Sequence, residues 1–209
     1  MAHLEAVNLG RIRPTEHGTL RRTAIDKRPV AHPVLIHRLG VGDDEIADLT
    51  HHGGPDQAVY AFAREDYAYW ERELGRALAP GTFGENLTTV GVNIQDARIG
   101  ERWRVGASLL EVTGVRIPCS VFAGAIGERR WVKRFTRHGV PGAYLRVIEP
   151  GEVRSGDPIQ VVETRDHHLT VGFAFQAGTT RPELLADLAA EPRLGGGLRR
   201  QLERHVARG

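Results

Sequence analysis

The 209-residue chain holds one cysteine, Cys119, in the segment Arg116-Ile117-Pro118-Cys119 that follows a strand-like run over residues 109–115. A lone thiol cannot close a disulfide within the chain, so it is either an inert filler of the core or a soft sulfur ligand and nucleophile. Arg116, three residues away, would stabilise a thiolate, and Pro118 keeps the segment extended rather than helical. Free cysteine is also among the most buried residue types, so this segment alone leaves both readings open.

Three further segments carry side chains suited to chemistry. His51-His52-Gly53-Gly54-Pro55-Asp56 joins imidazoles that titrate near neutral pH to consecutive glycines whose N–H groups can converge on an anion or oxo group. A solvated turn with incidental histidines explains it equally well, and adjacent histidines are poorly placed to chelate one metal together. In Phe83-Gly84-Glu85-Asn86-Leu87 the Asn86 amide can read a heterocycle edge or a phosphate, although asparagine also tolerates turn geometry for purely structural reasons. Lys27 and Arg28 form a pair of cations able to grip phosphate or simply to stay solvated.

Other chemistries are set aside. The chain has no GxxxxGK[ST] phosphate loop, GxGxxG fingerprint, HExxH helix or GxSxG elbow. One cysteine cannot supply the four thiolates of an ordinary iron–sulfur cluster, so a redox role needs electrons from elsewhere. The near-balance of 28 basic and 26 acidic residues argues against a dedicated nucleic-acid surface. No window offers 18 consecutive apolar residues, and the N-terminus lacks a basic region followed by an apolar stretch; the expectation is a cytoplasmic protein without a membrane role, its thiol kept reduced.

The elements that must position these residues are mostly short strands broken by glycine and proline over residues 1–164. Residues 34–37, a hairpin over 103–112 turning at Gly106-Ala107, residues 143–148 and residues 158–162 read as strands. One helix opens at Asp66, with Tyr67, Trp70 and Leu74 on one face and Gly75 as its stop. A second runs from Glu128 to His138, burying Trp131 and Phe135 and stopping at Gly139. Residues 165–209 change character to three helical segments, too small for a core of their own, which should pack on the main domain or on a second copy of the chain; a homodimer suits this reading.

Taken in order, Lys27, the stretch from His51 through Gly54 to Tyr60, Gly81-Thr82-Phe83-Gly84-Glu85-Asn86-Leu87, Ile99-Gly100-Glu101 and Arg116-Ile117-Pro118-Cys119 resemble a MOSC domain over about residues 1–164. Residues 165–209 are similar to the three-helix tail of the family's bacterial stand-alone branch. The resemblance implies a mostly β, barrel-like fold with inserted helices that binds molybdenum cofactor (molybdopterin), with Cys119 as sulfur ligand of the metal. Lys27, His52 and Asn86, with backbone of Gly53 and Gly54, would hold the pterin and its phosphate, and Arg116 would add charge beside the metal. It further implies a reductase of N-hydroxylated bases or related N-oxygenated compounds, supplied by an external flavin or ferredoxin-type electron donor. The alternative is a non-catalytic carrier of the cofactor, or of sulfur as a persulfide on Cys119.

Overall fold

The computed structural model describes residues 1–49 and 52–206, and in the last helix the side chains only to residue 200 and at Glu203. Its strands are β1 (His3–Gly10), β2 (Arg13–Pro14), β3 (Arg22–Thr23), β4 (Lys27–Pro29), β5 (Val34–His37), β6 (Gly40–Val41), β7 (Val59–Ala63), β8 (Leu87–Val90), β9 (Arg102–Val105), β10 (Ser108–Val115), β11 (Ala143–Glu149), β12 (Gly151–Val153) and β13 (Ile159–Glu163). The helices are α1 (Arg64–Leu74), α2 (Ser120–Ile126), α3 (Trp131–His138), α4 (Val171–Thr179), α5 (Leu185–Leu188) and α6 (Gly196–Val206). Helices hold nearly as many residues as strands, so the fold is mixed and sheet-rich rather than mostly β.

Eight strands form one sheet in the order β13-β9-β10-β11-β7-β8-β1-β4. Its neighbours are antiparallel except β7 and β8, which run parallel because α1 carries the chain back between them. Strand β10 is buried along its whole length, as a strand covered on both faces must be, while β11 alternates buried Ala143, Leu145 and Val147 with partly exposed Tyr144 and Arg146. The expected barrel is not closed. His3 and Pro158 make one isolated bridge between β1 and the residue before β13, flanked by backbone hydrogen bonds from Leu4 N to Asp157 O, Gly156 N to Leu4 O and Ile159 N to Ala2 O, and no regular strand ladder forms there. Pro158 has no N–H to donate, which interrupts a ladder at this point, while β4 takes up the other end of β1 over Asn8–Gly10.

The hairpin over β9 and β10 turns at Gly106-Ala107 as its sequence predicts. Helix α1 ends on Gly75 at φ 64° and α3 on Gly139 at φ 80°, the left-handed stop expected of both. The second helix begins three residues later than Glu128, because Arg130 adopts φ 55° and breaks the run ahead of Trp131. Helix α2, directly after Cys119, is not announced by the sequence, since its single pair of buried apolar residues, Phe122 and Ile126, is too short a periodic signal. It is held in place by aromatic packing: Phe122 lies 5.5 Å from Trp131 and 5.1 Å from Phe135, and Trp70 of α1 lies 4.4 Å from Trp131, measured between ring centres.

The helical C-terminal segment shares this core. Leu185, Leu188, Leu194 and Leu198 are buried in the same cluster as the sheet. It is also fastened by polar contacts: Gly195 N donates to Thr113 O at 2.6 Å, Gly196 N to Asp56 Oδ2 at 2.9 Å, and Arg146 Nη2 to Arg193 O at 3.1 Å. Buried Glu111 takes Arg102 at 2.9 Å, with Arg146 and Arg193 each at 3.5 Å.

One buried carboxylate organises the loop ahead of β8. Glu85 is fully buried and accepts from Tyr67 Oη, from Gly81 N at 2.7 Å, from Thr88 Oγ1 at 2.8 Å and from Phe83 N at 3.1 Å. Burial pushes its carboxyl up from the usual range, and these donors oppose that. Replacing Glu85 with Ala strands two buried N–H groups and two hydroxyls. The expected loss is about 3 kcal/mol or more of unfolding free energy, read from urea denaturation.

A second acid gives a pH test of the α1 packing. Burial, aided by neighbouring Glu65, raises Asp66 in the first turn of α1 to about 6. A folded-state value above the unfolded one means that its stabilising contribution is intact below about pH 4 and is lost as pH rises through 6. Asp66→Asn should therefore gain on the natural protein by about 1–2 kcal/mol between pH 4 and pH 7, measured by thermal denaturation across that range.

Candidate functional site

The site is assembled where β1, β4, β7, β10 and β11 end near the start of α2. Lys27 opens β4, paired with Gly10 at the end of β1. This close pairing requires glycine: a Cβ on Gly10 would stand 2.2 Å from Ala24 O, and one on Gly81 2.5 Å from Lys27 O. Asn86 follows the Glu85 anchor. Its backbone N donates to Tyr60 O at 2.8 Å, and its side-chain oxygen accepts Tyr60 N at 3.2 Å, locking it beside β7. Arg116 leaves the end of β10, and Cys119 stands extended, at φ −128° and ψ 175°, immediately before α2.

Lys27, His52, Gly53, Asn86, Arg116 and Cys119 line one cavity of about 520 Å³. The lone thiol is half-buried at its wall and is not sealed in the core. Gly54 is not among the lining residues; at φ 80° it caps the short 3-10 turn Pro55–Gln57, and its carbonyl accepts Gln57 N at 3.1 Å. Gly53, at φ 76°, sits against Ile46, where a Cβ would come within 2.7 Å of that side chain. His52 N donates to Asp48 O at 3.0 Å. His51 lies outside the described residues. Arg28, the other member of the cation pair, is exposed, pairs with Asp26 at 2.8 Å and does not line this cavity.

Electrostatically the cleft is uneven. Arg116 is 6% exposed, and its guanidinium carbon lies 4.5 Å from the Phe122 ring centre and 5.3 Å from that of Tyr60. Its buried Nε has no hydrogen-bond partner, and no carboxylate forms an ion pair with it among the described residues. Burial pushes the Tyr60 and Tyr144 phenols up, so both stay neutral beside this cation. Tyr60 Oη donates to Pro141 O at 2.7 Å. Burial pushes the Lys27 ammonium down, while the charge and hydrogen bonds of Asp44 raise it.

Asp44 is the residue that sequence reasoning missed. Its carboxylate accepts Gly10 N at 2.6 Å, Asn86 Nδ2 at 2.9 Å and Lys27 Nζ at 2.5 Å. One signal pointed to it. The chain has 26 arginines and only two lysines, Lys27 and Lys133, so a lysine at position 27 marks a site where a compact ammonium is wanted, and a buried ammonium requires a carboxylate. Among the described residues no group of three or more His, Cys, Asp or Glu is placed to hold a metal ion, and no helix is long and apolar enough to cross a membrane.

Comparison with known proteins gives the chain relatives. "Uncharacterized protein YflK" of Bacillus subtilis is 35% identical over 170 residues, 81% of this chain and 77% of that protein. A fungal protein named "Reductase", from Gibberella moniliformis, is 32% identical over 161 residues, which make up 75% of this chain but only 28% of that protein. The crystal structure of YiiM from Geobacillus stearothermophilus superposes with a TM-score of 0.82 at 27% identity, covering 99% of this chain and 100% of that one. The MOSC domain pattern matches residues 48–160, a span that holds Gly53, Asn86, Arg116 and Cys119, and the chain belongs to the MOSC domain family.

Proposed function

We propose that the cleft binds molybdenum cofactor, with Cys119 as a sulfur ligand of the metal, and that the protein reduces N-hydroxylated bases or related N-oxygenated compounds. The observation that carries this reading is the convergence of the thiol and a buried guanidinium with an unsatisfied Nε on one cavity of about 520 Å³. That volume suits a ring-sized ligand, and the orphaned Nε of Arg116 fits an anionic or oxo-bearing group. A thiolate is the soft donor that molybdenum among sulfur ligands favours. The name of the fungal relative supports a reductive role.

On this reading the cofactor, when bound, supplies a two-electron centre able to accept oxygen from the substrate. The chain's residues supply the rest. Cys119 Sγ fixes the metal's position, Arg116 contributes positive charge beside it, and His52 with the Gly53 turn borders the remaining space. Neutral Tyr60 and Tyr144 and the face of Phe122 shape a partly dry wall around the guanidinium. Overall balance requires two electrons and two protons for each N–OH converted to N–H and water. The electrons come from a separate flavin or ferredoxin-type protein.

Protein produced in a host that makes the cofactor should carry stoichiometric molybdenum by elemental analysis, and it should turn over an N-hydroxylated purine with a broad electron donor. Cys119→Ala should lose both metal and turnover, at least a hundredfold in rate, as expected for removal of a ligand. Retention of full activity by the alanine variant refutes the ligand assignment. Metal without turnover under any donor supports a cofactor carrier, and a persulfide on Cys119 without molybdenum, seen by mass spectrometry, supports a sulfur carrier.

A further inference from the structure

The β2–β3 hairpin belongs to neither of the larger sheets. It is a two-stranded sheet of its own, held by the pairs Arg13–Thr23 and Pro14–Arg22, with Thr15 N donating to Arg21 O at 3.1 Å beyond them. An isolated hairpin of this size is marginal in water, so its position depends on what it rests against. It rests on α2. Gly124 lies inside that helix and outside the left-handed region, where alanine would be the better helix former. The reason for glycine is steric: a Cβ there would stand 2.0 Å from Cδ2 and 2.1 Å from Cγ of the His17 ring. One residue on, Gly18 also touches α2, and a Cβ on it would come within 2.6 Å of the Val121 side chain. His17, Gly18, Thr19 and Leu20 line the cavity that holds Cys119. A second cavity of about 580 Å³ adjoins it, and His17, Thr23, Ile25, Lys27 and Val121 border both, so the hairpin stands between the two spaces.

We propose that this hairpin is a strap that fixes how large a molecule reaches Cys119, with the His17 ring as its latch and Gly124 as the seat that the latch requires. With the ring seated, the cavity of about 520 Å³ is walled off from its neighbour, and a compact ring compound is admitted in preference to a bulkier one bearing the same reactive group. With the ring unseated, the hairpin tip is left with a two-residue ladder and the Gly18 contact, too little to hold it down, and the two spaces join. For the reductase proposed above, the strap selects free N-hydroxylated bases over the same bases attached to a sugar. The inference rests on this cavity being the ligand site and needs no metal.

The sole thiol serves as the probe. Protein made in a host lacking the cofactor is treated with N-ethylmaleimide or with the bulkier, equally uncharged N-(1-pyrenyl)maleimide, and each rate is followed by mass spectrometry. In both cases the Cys119 thiolate adds across the same double bond, which then takes up a proton, and nothing is released. The ratio of the pyrenyl rate to the ethyl rate should rise at least about threefold in His17→Ala, which removes the ring, and in Gly124→Ala, whose methyl takes the ring's place. The ratio is the readout because a change in the thiol's intrinsic reactivity, or in overall stability, moves both rates together. If either folded variant stays below about threefold, or if both reagents accelerate equally, the proposal is overturned. Should Gly124→Ala disturb α2, seen as a lowered thermal midpoint, His17→Ala on the exposed hairpin decides the matter unaided. A raised ratio in a protein that never acquires molybdenum would keep the strap and remove the metal reading. Stoichiometric molybdenum with an unmoved ratio would do the reverse.

Discussion

A single carboxylate ties together the segments that make the cleft. Asp44 bonds the end of β1 through Gly10 N, the start of β4 through Lys27 and the loop ahead of β8 through Asn86. None of these contacts is local in sequence, and all are shielded from water, where charge-assisted hydrogen bonds are strongest and an unmatched partner is most costly. The junction of these three segments therefore depends on one carboxylate. Glu85 performs the neighbouring task one residue before Asn86, turning the loop inward by gathering donors from Tyr67, Gly81, Phe83 and Thr88.

The opposite wall is built on another principle. Arg116 makes no carboxylate ion pair among the described residues, and its charge rests against the faces of Phe122 and Tyr60. Ring quadrupoles stabilise a guanidinium without neutralising it. Lys27 is thus held by a carboxylate and Arg116 by aromatic faces, and the half-buried thiol follows three residues on from Arg116. The aromatic layer of Trp70, Phe122, Trp131 and Phe135 connects this chemistry to the fold, since it fixes α2 and with it the position of Cys119.

The legible part of this molecule was its local grammar. Glycines at helix ends, the Gly106-Ala107 turn and the buried faces of α1 and α3 follow from spacing alone, because each is decided within a few residues. The gathering of Lys27, His52, Gly53, Asn86, Arg116 and Cys119 into one cavity was legible only through their ordered combination. Asp44 was hidden because its partners lie 17, 34 and 42 positions away and its own surroundings read as an ordinary acidic turn. Failure of the sheet to close was hidden for a related reason. Pro158 removes a donor at the place where β1 meets the chain ahead of β13, and no run of residues near 158 states which strand it will meet.

The fastening of Gly195 and Gly196 onto Thr113 and Asp56 has a consequence for biogenesis. Asp56 follows the Gly53-Gly54-Pro55 turn directly, so this bend is braced from behind by residues synthesised some 140 positions later. On the ribosome the nascent chain can pair its strands and stack its aromatic rings well before that brace emerges. The pocket's rim is consequently among the last parts to set, and a chain halted short of Gly196 would leave the Gly53-Gly54-Pro55 turn unbraced.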